Sequence, residues 1–580
     1  MLASLSAAGL SLILTGCGGS SSTTTPPPPP HTSYSLSAAA LSPSSINSGN
    51  SATSTISITP ANGYNGQVTL SCSSITGGGT PAPVCAFSKN PVAVTSATGG
   101  NSTLTVSTNF GTPAATYTVQ VSAADATGSA PSNGPPSLQL ATTTSIQHIV
   151  VIFQENRTPD NLFHDPVLMA RGADIAISGV NSTGATIQLT SIDLAPGGTN
   201  PNNTLGNYDL GHQHAAFTNM CDFDVSSGTC KMDRADLVGV YCDTGATNCP
   251  PSNPQFKYVD PAQVQPYFAL AEQYTFGDHM FQTNQGPSFP AHQFLISATS
   301  APSPGSNLFV ENNPVKPKSD NTGCIAPPTQ TVTVIDPSGT ETTQYPCLEH
   351  QTLTDLLNAK GISWRYYANS AGSIWTAPNA IQHMCGPNAT PPNATKCTGS
   401  DWTNNVVLQY TKVLTDIANN QLAQVSWVTP NGLQSDHPVS TDGSGPSWVA
   451  SVVNAIGNSP YWSNTAIFIT WDDWGGWYDH VPPKIINSYE YGFRVPLIVV
   501  SPYARAQYIS RNTHDFGSML KFIEETFGLQ SLGYADAAAD DFADCFDFTQ
   551  IPLKFQTINA PLKAAYFLND KSPPTDPDDD

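Results

Sequence analysis

A short apolar, β-branched run, Thr465-Ala-Ile-Phe-Ile-Thr470, leads directly into Trp471-Asp-Asp-Trp-Gly-Gly-Trp-Tyr-Asp-His-Val-Pro-Pro483. A run of this composition reads as a buried strand. Open α/β sheets gather ligands at the carboxyl ends of their strands, so Asp472 and Asp473 stand where such a fold builds its site. Gly475 and Gly476 permit a sharp turn and a close approach of backbone to ligand. Adjacent acids with a nearby histidine match the donors taken by a hard or borderline cation. The competing reading is a solvated acidic turn, which has no use for three tryptophans and two glycines around two acids.

At 580 residues the chain exceeds a single core, so two or more domains are expected. Twenty Lys+Arg against 42 Asp+Glu give a net charge of −22, which excludes nonspecific nucleic-acid binding through a basic surface. With 11% charged residues and abundant Ser, Thr, Asn, Gly and Pro, the composition is that of an exported protein. Leu2 to Leu14 is apolar but too short to span a bilayer. It ends in Leu14-Thr-Gly-Cys17, which resembles a bacterial lipobox. Residues 1–17 are therefore expected to be a lipoprotein-type signal peptide, with Cys17 lipidated and the mature protein anchored to a membrane of the bacterial envelope. An ordinary signal peptide with an incidental cysteine is the alternative. Of the twelve cysteines, ten fall into local pairs: Cys72/Cys85, Cys221/Cys230, Cys242/Cys249, Cys324/Cys347 and Cys385/Cys397. In an oxidising compartment, proximity suggests disulfides. Cys545 is left over, and the lack of a CxxC…CxxC pattern argues against structural zinc.

Residues 18–33 form a Ser/Thr- and Pro-rich tether. Residues 34–143 carry two formal charges, Lys89 and Asp125, and short alternating segments such as Gln67-Val-Thr-Leu-Ser-Cys72 and Thr116-Tyr-Thr-Val-Gln-Val-Ser122. That pattern predicts a small all-β, immunoglobulin-like sandwich acting as a spacer. From residue 146 to 568, strand patterns alternate with helical ones, which predicts an α/β domain. Candidate strands are 146–153, 424–429, 465–470 and 495–500, and a candidate helix, 518–527, ends at Gly528. Long Gly/Pro/Asn-rich stretches such as 181–207 read as surface insertions. Residues 569–580 read as a disordered acidic tail.

Four motifs adjoin these elements. Gln154-Glu-Asn-Arg157 follows the first strand; Glu155 and Asn156 offer oxygen ligands, and Arg157 either faces a phosphate or anchors the loop. Gly286-Pro-Ser-Phe-Pro290 places Ser288 near a helix N-terminus, where backbone N–H groups favour an anion. Ser435-Asp-His-Pro438 presents His437 after another strand, and Asp472-Asp473 completes the set.

Together with Gly492-Phe-Arg-Val-Pro496, these motifs resemble the bacterial phosphoesterase family of phospholipases C and AcpA-type acid phosphatases, within the alkaline phosphatase superfamily. The resemblance implies an α/β/α sandwich of alkaline-phosphatase-like type over 146–568. It implies one divalent metal ion (calcium, magnesium, manganese or iron) held by Glu155, Asn156, Asp472, Asp473 and Ser288. Ser288 would be the nucleophile. His437 and His212 would be active-site histidines, with His214 competing for the second place. His383, Arg157, Asp479 and His480 would touch phosphate or support the ligands, and Arg494 would be structural. Many family members carry Pro-Asn-Arg after the nucleophile, where this chain has Pro290-Ala-His292. The expected function is metal-dependent phosphoester hydrolysis through a phosphoseryl intermediate, as a broad acid-phosphatase-like monoesterase. Two alternatives stay open: a phospholipase C acting on phosphatidylcholine-type diesters, and a non-catalytic surface-binding lipoprotein.

Overall fold

The computed structural model describes residues 31–78, 81–110, 112–143, 146–195, 208–242, 249–315 and 321–575. The expected signal peptide with Cys17, and most of the tether, lie outside the described residues. No helix among the described residues is long and apolar enough to cross a membrane.

Between Ser33 and Thr143 the alternating segments form two sheets around one core. One has four strands in the order Ser33–Ala38, Ser51–Ala61, Gly100–Ser107, Val84–Phe87. The other has five: Ser45–Asn47, Ser137–Thr143, Ala115–Asp125, Gly66–Thr76, Val92–Val94. Successive side chains point to opposite faces, so Ile56, Ile58 and Leu104 of one sheet meet Val68, Leu70, Val119 and Val121 of the other. Cys72 and Cys85 are bonded across the two sheets. Phe110 leaves this region and stacks on Phe522 of the second core, with ring centroids 4.8 Å apart.

The second core surrounds an eight-stranded mixed sheet. In chain order its strands are β1 (His148–Gln154), β2 (Thr275–Gly277), β3 (Trp364–Tyr367), β4 (Val406–Val407), β5 (Val425–Val428), β6 (Thr465–Trp471), β7 (Leu497–Val500) and β8 (Tyr508–Ser510). Their spatial order is β4-β3-β5-β1-β6-β7-β2-β8. The run from β4 to β6 is parallel, and β7 is antiparallel to both neighbours. β6 is buried along its whole length, as central parallel strands are.

Six helices matter for the site: α1 (His214–Cys221), α2 (Gln265–Gln273), α3 (Ser288–Ser297), α4 (Lys412–Ala418), α5 (Gly445–Gly457) and α6 (Phe516–Phe527). Adjacent residues of β3 show that the sheet is covered on both sides. The Tyr366 hydroxyl lies 3.5 Å from His292 Nδ1 of α3, whereas the Tyr367 hydroxyl donates to Asp416 of α4. Neighbours along a strand face opposite ways, so α3 and α4 flank opposite faces. α6 packs on α3, and α5 packs on α4 and α2, which gives a helix–sheet–helix layering. α6 starts two residues earlier than its pattern predicts, because Asp515 caps it by accepting from Ser518 N; Gly528 ends it at φ +61°.

Four more disulfides join Cys221 to Cys230, Cys242 to Cys249, Cys324 to Cys347 and Cys385 to Cys397, and Cys545 is a buried free thiol. Two segments differ from the sequence reading. The described part of the 181–207 stretch holds short strands, Thr186–Gln188 and Thr190–Ile192, the latter paired with Lys257–Val259. The described part of the acidic tail is docked: Thr575 N and Oγ1 donate to Asn431 Oδ1 at 2.9 and 3.0 Å. Hydrogen bonding to Asn431, just past β5, compensates for the tail's lack of apolar residues.

Candidate active site

β1 and β6 are adjacent and parallel, with Gln154 opposite Trp471. The residues that follow them therefore leave the sheet at one edge, side by side. The two exits are tied together: Asp472 N donates to Gln154 O at 3.0 Å, Asn156 N to Asp472 Oδ1 at 3.1 Å, and Arg157 N to Asp473 O at 3.0 Å. Glu155, Asn156, Asp472 and Asp473 are all fully buried. Asn156 takes the left-handed conformation, φ +61°, which an asparagine tolerates better than most residues.

Gly475 and Gly476 turn the chain back over this edge, both at positive φ. A Cβ on Gly475 would sit 2.4 Å from Asn156 O, and one on Gly476 would sit 2.5 Å from Leu210 Cβ. Gly475→Ala is expected to displace Asn156 and to cost at least ~1–2 kcal/mol from left-handed backbone strain alone. Chemical denaturation of the variant checks this. The three tryptophans of the motif are buried: Trp471 Nε1 donates to Asp436 Oδ2 at 3.0 Å, Trp474 packs edge-on against His212, and Trp477 lies under the Arg157 guanidinium.

Ser288 is the first residue of α3. Its Oγ lies 3.4 Å from Glu155 Oε2 and 3.4 Å from Asp473 Oδ2, so one hydroxyl touches carboxylates from both strand ends. The helix dipole adds positive potential at this point. The next amide, Phe289 N, is already capped by Asn313 Oδ1 at 2.8 Å.

His212 Nδ1 faces Leu210 O at 2.8 Å, and its Nε2 lies 3.1 Å from Asn156 Nδ2. With the proton on Nδ1, Nε2 accepts from the Asn156 amide, which turns Asn156 Oδ1 the other way. His437 stands beside it, ring centroids 6.1 Å apart, with Nδ1 2.8 Å from Pro438 O. His214, the competitor, instead faces Gln285 O at 3.0 Å from the start of α1.

Other expected residues lie elsewhere. Arg157 Nε donates to Asp436 O at 2.9 Å and Nη1 to Asn161 Oδ1 at 3.1 Å, so its guanidinium anchors the loop before His437 and does not face a phosphate. Burial raises the Asp436 carboxyl to about 6, against the opposing pull of Arg157. His383 does not join the site either: its ring spans Glu349 at 2.9 Å and Asp355 at 3.3 Å, and those carboxylates claim both nitrogens. Asp479 and His480 belong to a separate ionic cluster around Arg494, whose guanidinium meets Asp479 at 3.0 Å and Asp160 at 3.2 Å. Burial opposes charge on His480, yet the hydrogen bond and charge of Asp160 raise it to about 9. A group raised in this way stabilises the fold fully below its ordinary value of 6.5 and stops doing so as pH climbs through about 9. The stability gap between the wild type and His480→Gln is therefore expected to close over that window in denaturation curves taken at several pH values.

The sequence reading passed over His292. Its Nε2 lies 3.3 Å from Glu155 Oε1 and 3.8 Å from Asp472 Oδ2, all fully buried. The available signal was its spacing: Ser288 and His292 are i and i+4 on one helix, hence on one face.

Three groups among the described residues could hold a metal ion by donor type and spacing. Asp160, Asp479 and His480 already surround the Arg494 cation. His514, Asp544 and Cys545 are linked through Ser510 Oγ, which bridges His514 and Asp544. Glu155, His292 and Asp472 sit at the strand ends. There the donor set fits a cation: Asn156 Oδ1 and Asp472 Oδ2 are buried and accept no hydrogen bond among the described residues, and three carboxylates converge in a water-poor setting.

The chain can be compared with known proteins on this basis. The hemolytic phospholipase C of Pseudomonas aeruginosa is 23% identical over 71% of this chain and 57% of its own length. Phospholipase C A of Mycobacterium tuberculosis is 32% identical over 24% of this chain and 32% of its own length. The non-hemolytic phospholipase C of Pseudomonas aeruginosa is 26% identical over 48% of this chain and 42% of its own length. The chain thus spans 57%, 32% and 42% of the length of these three relatives. The profile of the Phosphoesterase family matches residues 146–530, from the start of β1's segment to just beyond α6, and the chain belongs to that family.

Proposed function

We propose that the protein hydrolyses phosphoesters with Ser288 as nucleophile. The observation that carries this reading is the Ser288 hydroxyl at the head of α3, 3.4 Å from carboxylates of two different strand ends. Glu155, Asn156, Asp472 and Asp473, with Ser288, would hold one divalent ion. When bound, that ion supplies the positive charge that lowers the serine pKa and neutralises phosphoryl oxygens. Ser288 Oγ attacks phosphorus in line with the ester oxygen, and its proton passes to Asp473 or Glu155. The phosphorus–ester bond breaks, and His437 protonates the leaving oxygen. Water then attacks the phosphoserine and passes a proton to His437, the phosphorus–Oγ bond breaks, and Ser288 regains its proton from Asp473 or Glu155. Because Asn156 engages Nε2 of His212, the role that fits His212 is to aim Asn156 Oδ1, so the leaving-group role goes to His437.

The primary reading is a broad, acid-phosphatase-like phosphomonoesterase on an exported protein. Lipid anchoring through Cys17, with the N-terminal two-sheet region as an immunoglobulin-like spacer, belongs to the same reading. The five disulfides support the exported setting. A second reading, phospholipase C acting on phosphatidylcholine-type diesters, draws on the named activity of the three relatives. The test is turnover of p-nitrophenyl phosphate and p-nitrophenylphosphorylcholine with and without chelator. Chelator-sensitive turnover of the monoester alone supports the phosphatase, and preference for the choline diester supports the phospholipase. No turnover of either with any restored divalent ion sinks both in favour of a binding protein.

A further inference from the structure

We infer that His292 is itself a ligand of the metal ion, through Nε2, and that the centre is built for a first-row transition ion of the Fe²⁺ kind over Ca²⁺ or Mg²⁺. The inference rests on the metal-centre reading above and adds to it a donor and an ion class.

The position of the ring comes first. His292 follows Ser288 by one helical turn, and α3 holds both at the same strand ends. Nε2 is 3.3 Å from Glu155 Oε1 and 3.8 Å from Asp472 Oδ2, with every side chain fully buried. Zn²⁺, a first-row ion, binds imidazole nitrogen at about 2.0–2.1 Å and carboxylate oxygen at about 2.0–2.2 Å, which sets the scale. Two such donors at right angles or wider about one ion stand about 3 Å or more apart, which is the separation found here.

The proton on the ring comes second. The Tyr366 hydroxyl donates to Trp375 O at 2.7 Å, so its hydrogen is committed there. Thr429 Oγ1 approaches the same hydroxyl at 3.3 Å. Towards His292 Nδ1, 3.5 Å away, the Tyr366 oxygen can therefore only accept. With the proton on Nδ1, that oxygen accepts it and the lone pair of Nε2 is directed at the carboxylates. The edge of Phe153 packs against the ring, 5.5 Å between centroids at 89°, and fixes its plane. A tautomer set by a partner behind the ring is the usual arrangement of a ligating histidine.

The donor set then decides the ion. Glu155, Asn156, Ser288, Asp472 and Asp473 supply oxygen, and His292 supplies nitrogen. Ca²⁺, Mg²⁺ and Mn²⁺ are served by oxygen, whereas imidazole suits Fe²⁺ and the later first-row ions.

The test uses the full chain, stripped of metal and reloaded with Mn²⁺. Electron spin-echo envelope modulation of the bound Mn²⁺ reports directly coordinated imidazole nitrogen, independently of turnover. The expected result is a ¹⁴N modulation in the wild type that persists in His212→Gln and disappears in His292→Gln. Fe²⁺ affinity, measured without oxygen, is expected to fall roughly 10–100-fold in His292→Gln, the range typical of perturbing a metal site. Ca²⁺ affinity is expected to change less than two-fold on the order of experimental scatter, since nitrogen adds little to its binding. Mn²⁺ bound in an Asp472-dependent way without ¹⁴N modulation, or with modulation that survives in His292→Gln, overturns the inference and leaves the metal-centre reading standing. Wild type that binds no ion, indistinguishable from Asp472→Asn, overturns both. Should His292→Gln fail to fold, the wild-type and His212→Gln spectra still decide whether an imidazole other than His212 is bound.

Discussion

Ser288→Ala is expected to lower phosphoester turnover by about 10³-fold or more while leaving the fold intact, since nucleophile loss in comparable enzymes has effects of that order or larger. The side chain is fully buried and small, so removing its oxygen leaves almost no cavity. The oxygen lies 3.4 Å from each of two carboxylates and makes no other strong contact that holds α3 in place, whose first free amide is capped by Asn313 instead. Steady-state kinetics beside thermal unfolding checks the split. Turnover within ten-fold of wild type, with an unchanged melting temperature, would mean that another group attacks phosphorus.

Arg494→Met should produce the largest loss of stability. The guanidinium is fully buried and meets Asp479 through Nε, Asp160 through Nη2, and the carbonyls of Asp174 and Asp278 through Nη1 at 2.9 and 2.7 Å. It ties the loop after β6 to the segments that follow β1 and β2. Methionine of similar length would leave buried Asp479 without its cation and Asp160 with His480 alone, at a cost of about 3–5 kcal/mol. The urea midpoint reads this. Lys231→Met, which breaks the surface pair with Asp222, should barely move it. A variant of Arg494 as stable as wild type would show that His480 alone neutralises the cluster.

Much of the catalytic region was legible because it is encoded locally. The run 465–470 is apolar throughout, as a central parallel strand must be, and its end falls within one residue of β6. Asp472, Asp473, Glu155 and Asn156 follow strands directly, so reading the strands also read the edge where they emerge. Strands β2, β3, β4 and β8 were missed, since two to four residues of mixed polarity carry no period of their own. The place of His383, and the choice between the two readings of Arg157, were not legible for a related reason. Both belong to residue types that suit a phosphate, but carboxylates 28 and 34 residues upstream, or a carbonyl 279 residues downstream, occupy them first. Those partners are visible only in three dimensions.

By itself the sequence determined the α/β architecture of the second region, the alternating two-sheet pattern of the first, the cysteine pairs and the donor residues at two strand ends. Each of these depends on a periodicity or a proximity within a short stretch of chain. Only the tertiary structure decided which histidine serves which purpose. Asn156 turns because His212 Nε2 accepts from it, His383 is claimed by Glu349 and Asp355, and His292 enters the site because α3 packs over the ends of β1 and β6. A histidine has two nitrogens and no intrinsic role; its neighbours set the tautomer and direction of the ring, and packing brings those neighbours from distant parts of the chain.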